Sequence, residues 1–338
     1  MALACAVAAV ALAACGGDSE SSGGSSGSKA SAGTSSAPKD VKVVLDFLPG
    51  SLHMGIYAAL DQGIYKDVGL SVEVEPGRGS STSAILVASG QVPFGVTDSS
   101  AAAQAVAGGG KVTMVAAILQ KEAAGLAFLC SSNIKSVADL KGKAVAGSAS
   151  TSNWNYLEAL LAQMSLKLGS DVQKVIVSAG AQTSAVINGL AAARTTTIYD
   201  LALQSASKEP VCTINYADTG VVTLGHGLIA NNDFLKKEPE TARKFVVATM
   251  KGYEAAIADP TAAAEAMKKL NPDVNVESSV EGWKAMAPLL TAPEGKPLGY
   301  MAPAAWTQSL TFFAQSKLLT GEVGDPARYF TNDFLARN

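Results

Sequence analysis

The sequence is poor in the residues that most often bind metals. It has two histidines, His53 and His226, and four cysteines among 338 residues. No spacing of Cys and His typical of a zinc site occurs. We therefore expect neither a metal nor a cofactor.

Clustered positive charge and catalytic motifs are also missing. Lys and Arg number 26 against 29 Asp and Glu, and without a basic cluster the net charge of -3 gives no reason to expect nucleic acid as a partner. The chain has no Ser-His-Asp order and no phosphate-binding loop, and Gly77-Arg78-Gly79 lacks the third glycine of a dinucleotide site. These absences predict that the protein is not an enzyme.

The amino terminus carries an apolar run that is too short to span a bilayer comfortably. Residues 1–14 are mostly Ala, Val and Leu, and they lead into Cys15 followed by two glycines. This pattern predicts a lipoprotein signal that ends at a lipidated Cys15; an ordinary cleaved secretory signal is the alternative. No Lys or Arg precedes the run, so we expect the true start codon to lie upstream.

A segment rich in small polar residues follows the signal. Residues 16–39 are nearly all Ser, Gly, Ala and Thr, with too little apolar surface to offset chain entropy. We expect a flexible tether there and no fold before about Asp40. The protein is then extracytoplasmic and held at the bacterial cell membrane by its lipid.

Two cysteines remain for the folded part, because Cys5 falls in the signal and Cys15 is lipidated. Cys130 and Cys212 each lie in an apolar, strand-like run. In an extracytoplasmic protein they form either a disulfide or two buried thiols, and both readings stay open at this point.

The folded part alternates strand and helix patterns. About 300 residues with an apolar composition exceed one compact core, which favours two lobes. The first unit has predicted strands at 41–45, 70–74, 93–97 and 112–119. Three predicted helices alternate with them: one at 53–62, one that ends at Ala88 and one that begins after Asp98. The second has strands at 125–130, 143–146, 175–177, 195–199 and 211–216, and helices at 154–168 and 183–192. A strand at 228–230 then leads into a helical tail at 239–328.

This order predicts an α/β fold of two lobes, each a mostly parallel sheet flanked by helices. Two crossings of the chain join the lobes as a hinge. We place residues 40–124 and 228–338 in lobe 1 and residues 125–227 in lobe 2.

Five segments in register carry a family resemblance over roughly residues 41–319. They read Asp-Phe-Leu-Pro with a following His-Met-Gly-Ile-Tyr-Ala at 46–58, Gly-Ile-Tyr-Lys-Asp-Val-Gly-Leu at 63–70, Ala-Ser-Gly-Gln-Val-Pro-Phe-Gly-Val at 88–96, Ile-Lys-Ser-Val-Ala-Asp-Leu-Lys-Gly-Lys at 134–143 and Asn-x-x-Phe-x-x-x-x-Pro-Glu at 231–240. The chain resembles the substrate-binding proteins of ABC importers that take up the thiamine pyrimidine precursor, taurine, aliphatic sulfonates or riboflavin. The resemblance implies a periplasmic binding protein of type II. It departs at 193–197, where Ala-Arg-Thr-Thr-Thr replaces the family's Gly-x-Val-Asp-Ala before Tyr199 and Asp200.

Two-lobed α/β proteins bind ligands between the lobes, at the carboxyl ends of strands. The loops at those ends give the predicted ligand-binding residues. They are Asp46, Phe47, Leu48, His53, Asp98, Ser99, Gln120, Ser148, Thr151, Trp154, Tyr199 and Asp200.

Several of these residues have an ordinary structural alternative. Phe47 and Trp154 could be core side chains, and Asp46 could support its loop by accepting backbone amides. His53 and Asp98 could cap the helices that follow them. His226, beside a crossing, is more typical of the hinge.

The loop chemistry favours a flat, nitrogen-rich ring. Aromatic faces supply stacking, and carboxylates accept hydrogen bonds from ring donors. Arg78 is the only Arg that the sequence places near these loops, whereas a sulfonate or phosphate would need an Arg fork or helix-start amides. We favour a pyrimidine precursor of thiamine, with riboflavin next and taurine or another sulfonate as the alternative.

The predicted function is a monomeric, lipid-anchored capture protein that closes on a small solute and docks on an ABC permease in the membrane. A related fungal fold that synthesises the thiamine pyrimidine is the rival enzyme reading. A sensor or adhesion lipoprotein built on the same lobes is the third.

Overall fold

The computed structural model describes residues 37–319 and 323–336. The predicted signal, Cys15 and nearly all of the predicted tether lie outside the described residues. The first strand begins at Lys39, one residue before the expected start of the fold.

Strands and helices alternate through the first two thirds of the described chain, and helices dominate the rest. The strands are β1 Lys39–Val44, β2 Leu70–Glu75, β3 Phe94–Asp98, β4 Val112–Ala117, β5 Ala124–Leu129, β6 Ala144–Gly147, β7 Gln173–Ile176, β8 Ala193–Thr197, β9 Val211–Asn215 and β10 His226–Asn231. The helices are α1 Met54–Asp61, α2 Ile64–Asp67, α3 Ser80–Ala88, α4 Ser99–Ala107, α5 Asn153–Gln163, α6 Gln182–Ile187, α7 Ala202–Ala206, α8 Asn232–Lys237, α9 Pro239–Ala258, α10 Pro260–Leu270, α11 Val276–Met286 and α12 Pro303–Gln315.

The strands form two five-stranded sheets, ordered β2-β1-β3-β10-β4 and β7-β6-β8-β5-β9. In each sheet four strands run parallel and one runs against them, β10 in the first and β5 in the second. The mostly parallel two-lobed α/β fold is therefore confirmed. The reversed strands are the ones next to the two crossings, so they carry the chain into and out of the second sheet.

Tight helix packing fixes the start of α1, where His53 lies. A Cβ built on Gly252 of α9 would stand 2.1 Å from the carbonyl oxygen of Gly55, and one on Gly55 would stand 2.4 Å from the Tyr253 ring. Only glycine allows the two helices to approach this closely. The Tyr253 hydroxyl also donates to the Leu52 carbonyl at 2.7 Å, which ties α9 to the turn before α1.

Cys130 and Cys212 form a disulfide in the second lobe, with a Cα–Cα distance of 5.0 Å. Cys212 lies on β9 opposite Phe128 of the neighbouring β5, and Cys130 follows the end of β5. The pairing of these two strands brings together thiols that are 82 residues apart in sequence.

Two predicted helices are shorter in the structure than the apolar pattern indicated. The helix expected at 154–168 ends at Gln163, because Ser165 takes a left-handed conformation with φ 58°. The helix expected at 183–192 ends at Ile187, and Gly189 follows with φ 72°. A left-handed residue after the last turn is a common helix stop.

Both sheets lie in one compact unit, Ala37–Asn338. Within the described residues, no helix combines the length and the apolar character needed to cross a membrane. The lobe limits given above stay a prediction; in the structure β5 begins at Ala124 and β10 at His226.

Candidate functional site

A cavity of about 710 Å³ lies between the two sheets, and both lobes line it. This volume is within the range of small-molecule sites. Loops after β1 and β2 and the turn before α11 form one side. The start of α5, the start of α6 and the end of β8 form the other.

Seven of the twelve predicted ligand-binding residues line this cavity. They are Asp46, Phe47, Leu48, His53, Thr151, Tyr199 and Asp200. Phe47 is half-buried and Leu48 is exposed at the rim. The prediction that these residues contact a ligand stays a prediction, now with a shared cavity to support it.

Asp46 is buried at the base of the cavity between the two histidines. Its Oδ1 accepts from Nε2 of His53 at 2.7 Å, and its Oδ2 lies 3.2 Å from Nε2 of His226. Nδ1 of His53 accepts from the Gly50 amide at 3.2 Å, so Nε2 carries the proton that His53 donates. The Asp46 side chain thus supports its loop through histidines, whereas the structural alternative named from the sequence was support through backbone amides.

The paired charges set the ionisation of this group. Burial opposes the charged form of Asp46, but the facing His226 and the hydrogen bonds of both histidines hold its pKa below the usual range. Burial also opposes the imidazolium of His226. Asp46, with smaller contributions from Asp98 and Glu122, nevertheless raises the pKa of His226 to about 9.

Tyr199 reaches the cavity from the end of β8 and stays protonated. Burial first, and then the negative charge of Asp46, raise the pKa of its phenol well above the usual range. A protonated phenol can both donate and accept a hydrogen bond. The ring also packs against the apolar core of the first lobe, so Tyr199 lies between the two lobes.

Arg194 and Asp200 form an ion pair on the second-lobe side of the cavity. Nη2 of Arg194 bonds Oδ2 of Asp200, and the two side chains are 5% and 28% exposed. Nη1 of Arg194 donates to the Thr183 hydroxyl at 2.9 Å, and Nε donates to the Thr195 carbonyl at 3.2 Å. Three of the five guanidinium N–H groups therefore have partners among the described residues, which leaves two for a ligand.

The sequence did not identify Arg194 as a site residue. It noted the departure at 193–197 but placed Arg78 as the only arginine near the loops. Arg78 is exposed and does not line the cavity, whereas Arg194 is buried and does. An arginine inside a buried strand was the available signal, since charged residues are rarely buried unless they are paired.

Five predicted residues do not line the cavity, and each has a structural partner instead. Asp98 caps α4 through the Ser100 amide, and Ser99 donates to the Leu224 carbonyl. The Gln120 side chain donates to the Tyr300 carbonyl at 3.0 Å. The indole of Trp154 is buried and donates to the Ser148 carbonyl at 2.7 Å. The position of Asp98 favours its capping alternative and that of Trp154 its core alternative, and we leave all five residues out of the proposed site.

Two glycines hold the Phe47 loop in place. A Cβ on Gly77 would stand 1.9 Å from the Leu45 carbonyl oxygen, and one on Gly79 would stand 2.3 Å from the Ser150 carbonyl oxygen. Ser150 lies on the opposite lobe, and its carbonyl accepts from the Ser81 amide at 3.3 Å. The Gly-Arg-Gly segment therefore serves close backbone approach across the cavity rather than a phosphate.

The balance of charge around the cavity has no positive surplus. Three carboxylates, Asp46, Asp200 and Asp273, face it with Arg194 and the two histidines, and no lysine is among its lining residues in the described chain. Carboxylates, a phenol and a paired guanidinium can hydrogen-bond the donors and acceptors of a polar ring.

Known proteins resemble this chain in sequence and in fold. It is 24% identical over 285 residues to a formylaminopyrimidine-binding protein of Halalkalibacterium halodurans, covering 82% of this chain and 85% of that protein. It is 26% identical to a 4-amino-5-hydroxymethyl-2-methylpyrimidine phosphate synthase of Saccharomyces cerevisiae, covering 72% of this chain and 75% of the synthase.

Solved structures share the fold. The alkanesulfonate-binding protein of Xanthomonas axonopodis pv. citri, bound to MOPS, superposes with a TM-score of 0.68 at 13% identity, covering 89% of this chain and all of that one. At this identity the likeness shows the type II periplasmic binding protein fold alone. The family model described as NMT1/THI5 like matches residues 51–263, well over half of the chain. The resemblance read from the sequence is confirmed, and the chain belongs to the NMT1/THI5-like family.

Proposed function

We propose that this protein is the extracytoplasmic solute-binding component of an ABC importer and that it captures a flat pyrimidine, such as a thiamine precursor. The observation that carries the proposal is the cavity between the two lobes, lined by hydrogen-bonding groups from both. A ligand that contacts both lobes stabilises their closed arrangement, because it binds that arrangement better than the open one.

The lining chemistry supports a neutral or weakly basic ring. Asp46 accepts hydrogen bonds, and the ring amino group of an aminopyrimidine donates them. Phe47 and Tyr199 offer aromatic faces for stacking. The pyrimidine-binding relative from Halalkalibacterium halodurans agrees with this ligand class.

An acidic ligand is the second candidate, and Arg194 is the observation that favours it. Asp200 already pairs with Arg194, and Asp46 adds a further negative charge to the cavity. A sulfonate bound to the two remaining N–H groups of Arg194 would lie near both carboxylates, and their repulsion lowers its affinity. This cost places taurine and related sulfonates behind the pyrimidines.

The role of the yeast relative raises the enzyme alternative. A synthase that builds the ring needs reactive side chains in its cavity. The described lining of this cavity has His53 and His226, both held by Asp46, but no lysine and no cysteine. We therefore propose capture without chemical change. Incubation with a bound pyrimidine, followed by mass spectrometry of the released ligand, should return it unaltered.

Ligand class can be tested with a thermal-shift panel on the purified protein. We expect aminopyrimidines, with and without a formylamino group, to raise the melting temperature. Riboflavin should raise it less and taurine should leave it unchanged. Stabilisation by taurine and by no ring compound would overturn the pyrimidine assignment.

Membrane attachment is a separate part of the proposal and rests on the sequence around Cys15. We propose that a lipid on Cys15 holds the protein at the outer face of the cell membrane, where it meets its permease. Globomycin, which blocks lipoprotein signal cleavage, should cause the precursor to accumulate. Processing that continues in its presence, or in a Cys15→Ser variant, would contradict the anchor.

A further inference from the structure

Three buried side chains with metal-binding atoms meet at the hinge. His226 also lines the solute cavity, whereas Asp98 and Glu122 do not. Asp98 ends β3, Glu122 lies on the crossing between β4 and β5, and His226 begins β10 after the second crossing. Their exposed fractions are 0%, 3% and 3%. One potential ligand atom from each lies within 4.8 Å of the other two.

Each residue has one atom engaged and another available. Nε2 of His226 faces Asp46, while its Nδ1 has no hydrogen-bond partner in the described part of the chain. Oε1 of Glu122 accepts from the amides of Ala123 and Ala124 at 2.8 and 2.6 Å, while its Oε2 has no such partner. Buried polar atoms without partners are rare and costly, so this pair calls for an explanation.

The two carboxylate oxygens of Asp98 also differ in how many hydrogen bonds they accept. Its Oδ1 accepts from the Ser100 amide at 2.8 Å, from the Ser100 hydroxyl and from the Tyr156 hydroxyl. Among the described residues, its Oδ2 has only the same Tyr156 hydroxyl as a donor, at 3.1 Å. These bonds fix the carboxylate and leave one oxygen with free acceptor capacity.

Charge adds a second reason to expect a cation. Asp98 and Glu122 are neighbouring buried carboxyls, and burial first and then Asp98 raise the pKa of Glu122 well above its usual range. The two can share a proton, or a divalent cation can replace that proton and neutralise both. A cation at this point removes the repulsion that a buried pair of carboxylates otherwise carries.

We propose that Asp98, Glu122 and His226 bind one divalent ion of the zinc type, through Oδ2, Oε2 and Nδ1. One imidazole and two carboxylates form a donor set that Zn²⁺ accepts. Bonds of about 2.1 Å place tetrahedral ligand atoms about 3.4 Å apart, and one donor atom from each of the three residues already lies within 4.8 Å of the others. Small side-chain rotations therefore suffice to bring three donors onto one ion.

Asp46 supplies the supporting contact that such a histidine requires. A metal-binding imidazole usually gives its other N–H to a carboxylate, which fixes its tautomer. Nε2 of His226 faces Asp46, and this leaves Nδ1 as the metal-binding atom, from which the ion would displace a proton. The ion would join the end of β3 to both crossings, so it would stabilise the hinge while leaving the solute cavity accessible.

The test starts with the full-length protein stripped by a chelator and titrated with zinc chloride, without solute. We expect uptake of one Zn²⁺ per chain by calorimetry and a rise in melting temperature of about 5 °C or more in excess metal. Absence of uptake by the stripped protein would overturn the proposal.

Variants distinguish zinc bound at the hinge site from zinc bound nonspecifically at the surface. Glu122→Gln keeps the shape of the side chain but removes a charged ligand atom, so zinc affinity should fall by about 100-fold or more. Asp233→Asn is the matched control, because it removes an exposed carboxylate that pairs with Lys111. Equal zinc affinity in the wild type and in Glu122→Gln would place the ion on the surface and refute the site.

A measurement on the wild type alone covers the case in which Glu122→Gln fails to fold. X-ray absorption of the zinc-loaded protein should show nitrogen and oxygen ligands with a single imidazole. Two imidazoles would move the metal to Asp46 with His53 and His226, and sulfur ligation would move it to reduced Cys130 and Cys212. Either spectrum would rule out the proposed donor set.

Discussion

The two lobes share one strand order but are stabilised in different ways. In the first lobe β3 and β10 are buried along their whole length. The long helix α9 packs on the sheet through Phe245, which stacks on Phe94, and α10 packs on α1. In the second lobe the edge strand β7 is mostly exposed, and the short helices α6 and α7 lie over small apolar groups around Ala185 and Leu203. The disulfide lies in this second lobe.

This comparison shows that one strand order can carry covering layers of different thickness. Cys212 of the disulfide packs against the larger apolar cluster that contains Trp154 and Tyr156 of α5, so the bridge adds a covalent link to that core. The cavity repeats the contrast in polar groups. The first lobe supplies the deeply buried Asp46 with its two histidines, and the second supplies the partly exposed Arg194–Asp200 pair. Removing one partner of a buried ion pair lowers the free energy of unfolding far more than removing one partner of an exposed pair.

The largest expected effect is on the buried group of the first lobe. Asp46→Asn removes the charge that faces both histidines and should lower the free energy of unfolding by about 3–5 kcal/mol. Urea denaturation measures it. Asp61→Asn is the control, since its pair with Lys269 is exposed on both sides and should cost about 1 kcal/mol or less. Equal losses in the two variants would remove the contrast between buried and exposed charge.

The disulfide comes next. Replacing both Cys130 and Cys212 with serine should cost about 2–4 kcal/mol, because the bridge restricts the unfolded chain. Hydrogen exchange should rise in β5 and β9 before it rises in β3 and β10. Solute affinity should stay within about twofold, because neither cysteine lines the cavity. Faster exchange first in the first lobe would contradict the division drawn above.

A smaller effect is expected where the lobes touch. Gly79 has φ 130°, and its added Cβ would meet Ser150 of the other lobe, so Gly79→Ala should cost about 1–3 kcal/mol and weaken solute binding. Gly180→Ala is the control on the opposite wall, because nothing lies within 4 Å of its Cβ position. Calorimetry on both variants decides the matter; similar affinities would mean that the Gly79–Ser150 approach is irrelevant to capture.

The smallest effect concerns the second-lobe wall. Arg194→Gln should weaken binding of a pyrimidine that carries a carbonyl substituent by about tenfold, or ~1.4 kcal/mol. The reason is that the ligand carbonyl can no longer accept from the two free guanidinium N–H groups. A pyrimidine without that substituent should bind nearly as before. Asp200→Asn, which frees Arg194, should instead improve binding of acidic ligands. If Arg194→Gln weakens both pyrimidines equally, Arg194 does not select the substituent.

Much of the fold was predictable because its signals are local. The apolar pattern of residues 41–45 and the cap at Asp98 each depend on a few neighbouring residues. Helix ends were harder to predict, since the left-handed turns at Ser165 and Gly189 interrupt patterns that otherwise favour helix. The candidate site was predicted in part. Phe47 and Tyr199 line the cavity, whereas Trp154 follows a suitable strand but turns into the core.

The sequence by itself determined the order of strands and helices, the two-lobed class and the loops that border the cavity. Tertiary structure decided that the disulfide forms, that Arg194 faces the cavity and that His226 meets both Asp46 and the Asp98–Glu122 pair. The prediction that no metal binds considered only Cys and His spacing along the chain. A group assembled from positions 98, 122 and 226 has no such spacing, because sheet pairing and the two crossings bring its members together.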